Sequence, residues 1–235
     1  KYEVPAIIPQ KFGFRWWEFV LGQGSLLSSI ATSFVLAAIV TAVSLLICIP
    51  AAYALARYNF KGKRVFLLSF LLSNAYPRMG LYISIGILFY RLNLMGTFVG
   101  VIIIHVLNSM MFMTWIPSGA FRGVYRQQEE SARDAGAGPF RTFFRITLPM
   151  ISPQLFFLLI TITISSFKVF DTIQVMTGGG PGNATDVLVT YIYRYAFEMN
   201  ARVGYASAAG TVLLVILMIL TFVYFRMLGR KVYYQ

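Results

Sequence analysis

The chain has 235 residues, 58% of them hydrophobic and only 12% charged, whereas an ordinary soluble domain is about 45–50% apolar and about 25% charged. That excess excludes a soluble core and points to an all-α polytopic membrane protein, because apolar runs of about 20 residues, enough to cross about 30 Å of hydrocarbon, recur along it. The net charge of +12 is spread along loops rather than gathered with exposed aromatics, which argues against nucleic acid. The only cysteine, Cys48, excludes an intrachain disulfide and a cysteine-built zinc site, and within its apolar run it reads as a small core residue.

Residues 1–24 carry prolines and charges where a signal peptide would have an apolar centre. Trp16 and Trp17 beside Arg15 suit a helix lying at the membrane surface. Five spans are predicted after that segment, at 26–56, 65–90, 97–118, 152–176 and 204–228, inside a transmembrane domain covering 25–228. Between them fall a basic stretch at 57–64, a long loop at 119–151 and a loop at 177–203, which opens with a Gly/Pro stretch and continues as an amphipathic segment at 186–199. A short tail, 229–235, closes the chain.

Lys and Arg in short loops stay on the cytoplasmic side. Placing 57–64, 119–151 and the tail inside collects Arg57, Lys61, Lys63, Arg64, Arg122, Arg126, Arg133, Arg141, Arg145, Arg226, Arg230 and Lys231. The outside then receives Lys1, Lys11, Arg15, Arg91, Arg194 and Arg202, a twofold bias. An odd number of crossings follows an external segment, so either the protein starts outside or a sixth helix precedes it. The sixth helix is the expectation, since a bare N-terminus with Lys1 and Lys11 is the less common one to translocate.

The loop at 119–151 is long for a helix–helix connection. Its residues 129–135 favour helix, Gly136, Ala137, Gly138 and Pro139 break it, and Phe140, Phe143, Phe144, Ile146 and Leu148 resume at near-helical spacing. Two short helices at an angle, each with an apolar and a charged face, suit insertion into another protein's groove. An amphipathic helix resting on lipid headgroups is the plainer reading.

Glu130-Ser131-Ala132, then Gly136, then Ile146 and Leu148-Pro149 resembles the EAA signature of bacterial ABC import permeases, with Ser131 where the signature has its first alanine. Residues 49–64 resemble the end of the first core helix in the carbohydrate-uptake subgroup, and residues 170–185 resemble a loop common there. The likeness runs over most of the chain from Leu26 onward and is similar to the maltose and glycerol-3-phosphate permeases. It implies the transmembrane domain of a type I, binding-protein-dependent importer in the inner membrane. The implied partners are a second permease, forming a heterodimer rather than a homodimer, two cytoplasmic ATPases, a periplasmic or lipid-anchored substrate-binding protein, and membrane lipid. ATP and Mg would be held by the ATPases, with no cofactor in this chain and no catalytic residue. The resemblance makes 119–151 the coupling loop. Its docking residues are then Glu130, Ser131, Ala132, Asp134, Gly136, Ala137, Phe140, Ile146, Leu148 and Pro149. Glu130 would reach a basic partner, Gly136 would let two backbones approach, and the aromatics would anchor the helix. Pro149 and Pro153 would start the next membrane helix.

Polar groups at membrane depth are costly and tend to face a protein interior or a water-filled cavity. Asn74, Tyr76 and Arg78, beside Pro77, fall near the middle of the second span, and His105, Asn108 and Ser109 at similar depth in the third. In the fourth, Lys168 and Asp171 are three residues apart, on one helical face and able to pair, with Gln174 continuing outward. These residues either line a substrate path or hold helices together. Amide, charged and aromatic groups suit a sugar or oligosaccharide; Arg78 would equally suit a phosphorylated polyol. His105 has no Cys, Asp or Glu beside it at ligand spacing, so no metal is expected. Gly178-Gly179-Gly180-Pro181-Gly182-Asn183 lacks the Lys-Ser/Thr pair of a phosphate loop. It reads as a turn-forming loop outside the membrane, compatible with contact to the binding protein. Asn183-Ala184-Thr185 is a glycosylation sequon only outside the bacterial setting. Other readings are the same machine with a polyamine, anion or peptide cargo, an ion-coupled secondary carrier using Lys168 and Asp171, or a non-transporting scaffold.

Overall fold

The computed structural model describes residues 13–75, 78–199 and 202–229, with side chains throughout except at 71, 73–75, 78 and 79. Among these residues there are helices and no strands: α1 Arg15–Leu21, α2 Gly24–Arg57, α3 Lys63–Ala75, α4 Arg78–Arg91, α5 Phe98–Gly123, α6 Arg126–Asp134, α7 Pro139–Met150, α8 Ser152–Phe167, α9 Asp171–Met176, α10 Leu188–Tyr193 and α11 Val203–Leu228.

Helix α2 is the spine. Its buried positions include Ser29, Ser33, Ala37, Thr41, Ser44, Cys48 and Ala52, a row of small side chains spaced three or four residues apart and therefore on one face. Lipid tails are as apolar as leucine, so membrane helices associate through close packing, which small residues permit. That face lets α5 and α8 approach α2, and Leu36, Val40, Val106, Met113, Leu158 and Ile162 fill the space between. Cys48 is accordingly the small core residue its sequence context indicates.

Helix α5 starts where Thr97 Oγ1 accepts the Gly100 amide at 3.0 Å, a side-chain cap on an otherwise orphaned donor. Gly100 is required there: a β-carbon would run into the Leu94 carbonyl. Helix α1 packs on the start of α11, with Trp16 edge-on to Tyr205 at 4.8 Å and the Phe19 ring tilted against Tyr205 at 4.1 Å. Burial of the Tyr191 hydroxyl in the same cluster, and next the neighbouring Tyr195, push its pKa well above the usual phenol range.

Among the described residues three helices, Gly24–Arg57, Phe98–Gly123 and Val203–Leu228, are long and apolar enough to cross a membrane as single rods. The second expected span, 65–90, is helical over its described residues, in α3 up to Ala75 and in α4 from Arg78 onward. One of the expected spans differs. The fourth, 152–176, stops at Phe167, and α9 is a separate helix. With 16 residues, α8 reaches only about 24 Å at 1.5 Å per residue. It joins α7 at a 76° bend at Ile151, and the bent pair together has the composition of a span. Pro153 sits in the first turn of α8 as expected, whereas Pro149 falls in the last turn of α7, before the bend.

Candidate coupling segment and transport path

The loop at 119–151 folds as the helix, break and helix that its residues suggest. Helix α6 is capped by Ala135, with the Gly136 amide donating to the Arg133 carbonyl at 2.8 Å and the Ala137 amide to the Ala132 carbonyl at 2.9 Å. That pair of bonds is a Schellman cap, which needs a left-handed residue; Gly136 supplies it at φ +84°. The glycine is therefore explained by the turn, and no atom lies within 4 Å of where its β-carbon would be. Pro139 then opens α7, whose middle, Phe143–Thr147, widens into a π turn.

The sequence-assigned docking residues divide into two sets. Glu130, Ser131, Asp134, Gly136, Phe140 and Pro149 are exposed, Phe140 at 80%. Ala132, Ala137, Ile146 and Leu148 are half-buried, and Leu148 packs with Ile49, Phe121 and Ile151. Of the aromatics, Phe143 turns inward, edge-on to Tyr53 at 4.9 Å, so it anchors α7 to α2. Phe140 and Phe144 are left facing out.

Glu129, to which sequence reasoning gave no role, is 5% exposed. Its Oε1 accepts from Arg57 Nη2 at 2.8 Å and from Thr147 Oγ1 at 2.8 Å. The sequence shows a Glu129-Glu130 doublet but does not say which carboxylate faces inward; only the helix phase against α2 decides it.

The polar groups at membrane depth are partly gathered. His105, Asn108 and Ser109 line a cleft of about 310 Å³ between α5 and α8, with Phe112, Thr161 and Ser165 opposite or beside them. Asn108 Nδ2 donates to Tyr82 Oη at 3.0 Å, and Tyr82 is hydrogen-bonded to Thr172 Oγ1 at 3.3 Å. This chain ties α5 through α4 to α9, and Tyr82 and Thr172 were not singled out from sequence. Asn74, Tyr76 and Arg78 lie outside the described side chains.

Lys168, Asp171 and Gln174 are all exposed, but the expected ion pair on one helical face does not form among the described residues. Lys168 caps the end of α8 and Asp171 is the first residue of α9. A cation at a helix C-terminus and an anion at an N-terminus each complement the helix dipole. The two charges thus stabilise the two ends of a break.

The outer Gly/Pro stretch is a tied turn. Asp186, 3% exposed, accepts from Thr190 Oγ1 at 2.6 Å and pairs with Arg194 at 3.1 Å. Thr185 Oγ1 donates to the Gly180 carbonyl at 2.9 Å. Pro181, Gly182 and Asn183 are left exposed at the tip. No group of His, Cys, Asp and Glu among the described residues could hold a metal ion.

Residues 44–234 match the model of the binding-protein-dependent transport system inner membrane component family. The chain belongs to this family. Among relatives of this inner membrane component, the sn-glycerol-3-phosphate transport system permease protein UgpA of Yersinia enterocolitica is 40% identical over 49% of this chain and 39% of its own length. The sulfoquinovosyl glycerol transport system permease protein SmoG of Agrobacterium fabrum is 34% identical over 57% of this chain and 43% of its own. The matched segment spans less than half the length of these curated relatives. In structure, a bacterial ABC transporter involved in the import of the acidic polysaccharide alginate superposes with a TM-score of 0.75 at 19% identity, over 93% of this chain and 81% of that one. The same transporter type in complex with an alginate pentasaccharide-bound periplasmic protein gives a TM-score of 0.69 at 20% identity. The fold is therefore that of an ABC importer transmembrane domain, and the inner membrane component has the multi-pass helical character its composition indicates.

Proposed function

We propose that the chain is the permease subunit of an ATP-driven importer to which a binding protein delivers a sugar, oligosaccharide or related polyol. The observation that carries this reading is the exposed α6 hairpin. Glu130, Ser131, Asp134 and Phe140 face out from a segment whose other side is bolted to α2 and α5 through Phe143 and Leu148. Asp134 ends α6, where an anion opposes the helix dipole; a basic cleft on an ATPase would offset that cost and receive Glu130 as well. ATP and Mg then belong to two separate ATPase subunits, and this chain supplies movement and a path.

The path residues are His105 and Asn108 in the cleft, with Lys168, Asp171 and Gln174 at and beyond the break between α8 and α9; Asn74, Tyr76 and Arg78 are assigned to it from sequence. Amides and hydroxyls exchange hydrogen bonds with a polyol as it sheds water, and Phe112 offers an apolar face to a ring. A second permease, in a heterodimer, would complete the wall around the exposed Lys168, Asp171 and Gln174. A phosphorylated polyol or other anion is the alternative cargo, supported by the names of the relatives, which are transport permeases for sn-glycerol-3-phosphate and sulfoquinovosyl glycerol.

Gentle-detergent purification of the tagged protein, with mass spectrometry of bound chains, tests the reading. Recovery of an ATPase and a second permease is the expected result. Recovery of the protein alone, with an unaltered Glu130→Lys variant, would instead favour an ion-coupled carrier.

A further inference from the structure

The Glu129 carboxylate is where four parts of the chain meet. Arg57 is the last residue of α2, Thr147 ends the π turn of α7 and is wholly buried, and Glu129 lies in α6. Arg57 Nη2 also donates to the carbonyl of Val124, the residue that caps α5, at 3.1 Å. Arg126, opening α6, donates back to the Arg57 carbonyl at 3.2 Å. The Arg57 and Glu129 side chains are 9% and 6% exposed. A buried ion pair forfeits much hydration and is weak evidence of stability in itself, but it fixes geometry, because removing either partner strands the other. Neighbouring residues on a helix point about 100° apart, so Glu130 projects outward while Glu129 grips its own chain.

From this joint α2 runs past the cleft, where Ser44 is hydrogen-bonded to Ser109 at 3.2 Å, and Ser109 lines the cleft itself. We propose that Glu129 is a positioning residue: with Arg57 and Thr147 it locks α6 to the cytoplasmic end of α2, so that a push on the hairpin reaches the cleft as one rigid movement. The proposal rests on the importer reading. Packing of Phe143 and Leu148 holds α7 to the bundle without it, so loss of the carboxylate loosens the transmission while the fold is kept.

The test is a spin-label distance measurement in the reconstituted complex. Labels at Leu27→Cys on the far end of α2 and Gln127→Cys on α6 are compared without nucleotide and after trapping with Mg-ATP and vanadate; Cys48, at 0% exposure, stays unlabelled. The expected result is one narrow distance in both states for the otherwise native chain. In Glu129→Ala it broadens about twofold, with Glu129→Gln and Thr147→Val falling between, since a helix freed from its ion pair samples more than one arrangement. Thr147→Val is nearly isosteric and keeps the test valid if Glu129→Ala does not assemble. Native width in both Thr147→Val and Glu129→Gln overturns the proposal. Absence of a bound ATPase from the native chain is a different result and overturns the importer reading itself.

Discussion

At Gly136 a single backbone angle shapes the hairpin. A left-handed conformation costs a residue with a β-carbon about 1–2 kcal/mol, so Gly136→Ala is expected to loosen the α6 cap modestly. Gly136→Trp adds bulk on the exposed face and is expected to remove coupled ATPase activity while the protein still inserts. Glu130→Lys leaves the Glu129 joint untouched and reverses the exposed charge. Losing a partner from a hydrogen-bonded interfacial charge pair costs about 2–5 kcal/mol, so coupling should fall at least about thirtyfold. Coupled ATPase rates of the reconstituted complex measure all three, and native coupling in both Gly136→Trp and Glu130→Lys would remove the docking assignment. The break at Gly136 was legible because Gly-Ala-Gly-Pro punctuates any helix. Its physical role was not, since a cap and a close approach ask for the same residue.

Among the elements, the apolar runs that became α2, α5 and α11 were readable because their length and composition decide the matter in lipid. The end of α8 was not. Ser165, Ser166, Phe167, Val169 and Phe170 keep the sequence apolar or small through the break, and Lys168 three residues before Asp171 reads equally well as a pair on one turn. The structure gives each charge to a different helix end, and this has a measurable consequence. Each dipole interaction contributes about 0.3–1 kcal/mol. Lys168→Gln and Asp171→Asn should each destabilise by that order and should add, with a coupling energy under about 0.5 kcal/mol in a double-mutant cycle. Thermal unfolding of the purified complex supplies the four values. A coupling above about 1 kcal/mol would restore the direct ion pair expected from spacing alone.

Taken whole, the subunit is an incomplete enclosure. Only 11% of the most apolar stretch of α11 is buried, and Leu46, Phe222 and Met227 stand 74%, 70% and 67% exposed; lipid and a neighbouring subunit are the natural covers for such faces. The exposed Lys168, Asp171 and Gln174 are different, because charge facing hydrocarbon is costly and water or a partner's polar wall is required. If they border a path shared with a second permease, their access to the outside must alternate with the state of the ATPases. A Gln174→Cys variant is expected to react with a membrane-impermeant thiol reagent from the outer side about fivefold faster after trapping with Mg-ATP and vanadate than without nucleotide, a shift that requires the two states to differ in population. The buried Cys48 leaves little background. Equal reactivity in both states, in a complex with its ATPases bound, would place Gln174 on a static surface and take the helix break between α8 and α9 out of the path. Reactivity that changes at Gln174→Cys but not at an exposed tip position such as Asn183→Cys would locate the gate inward of the outer loop.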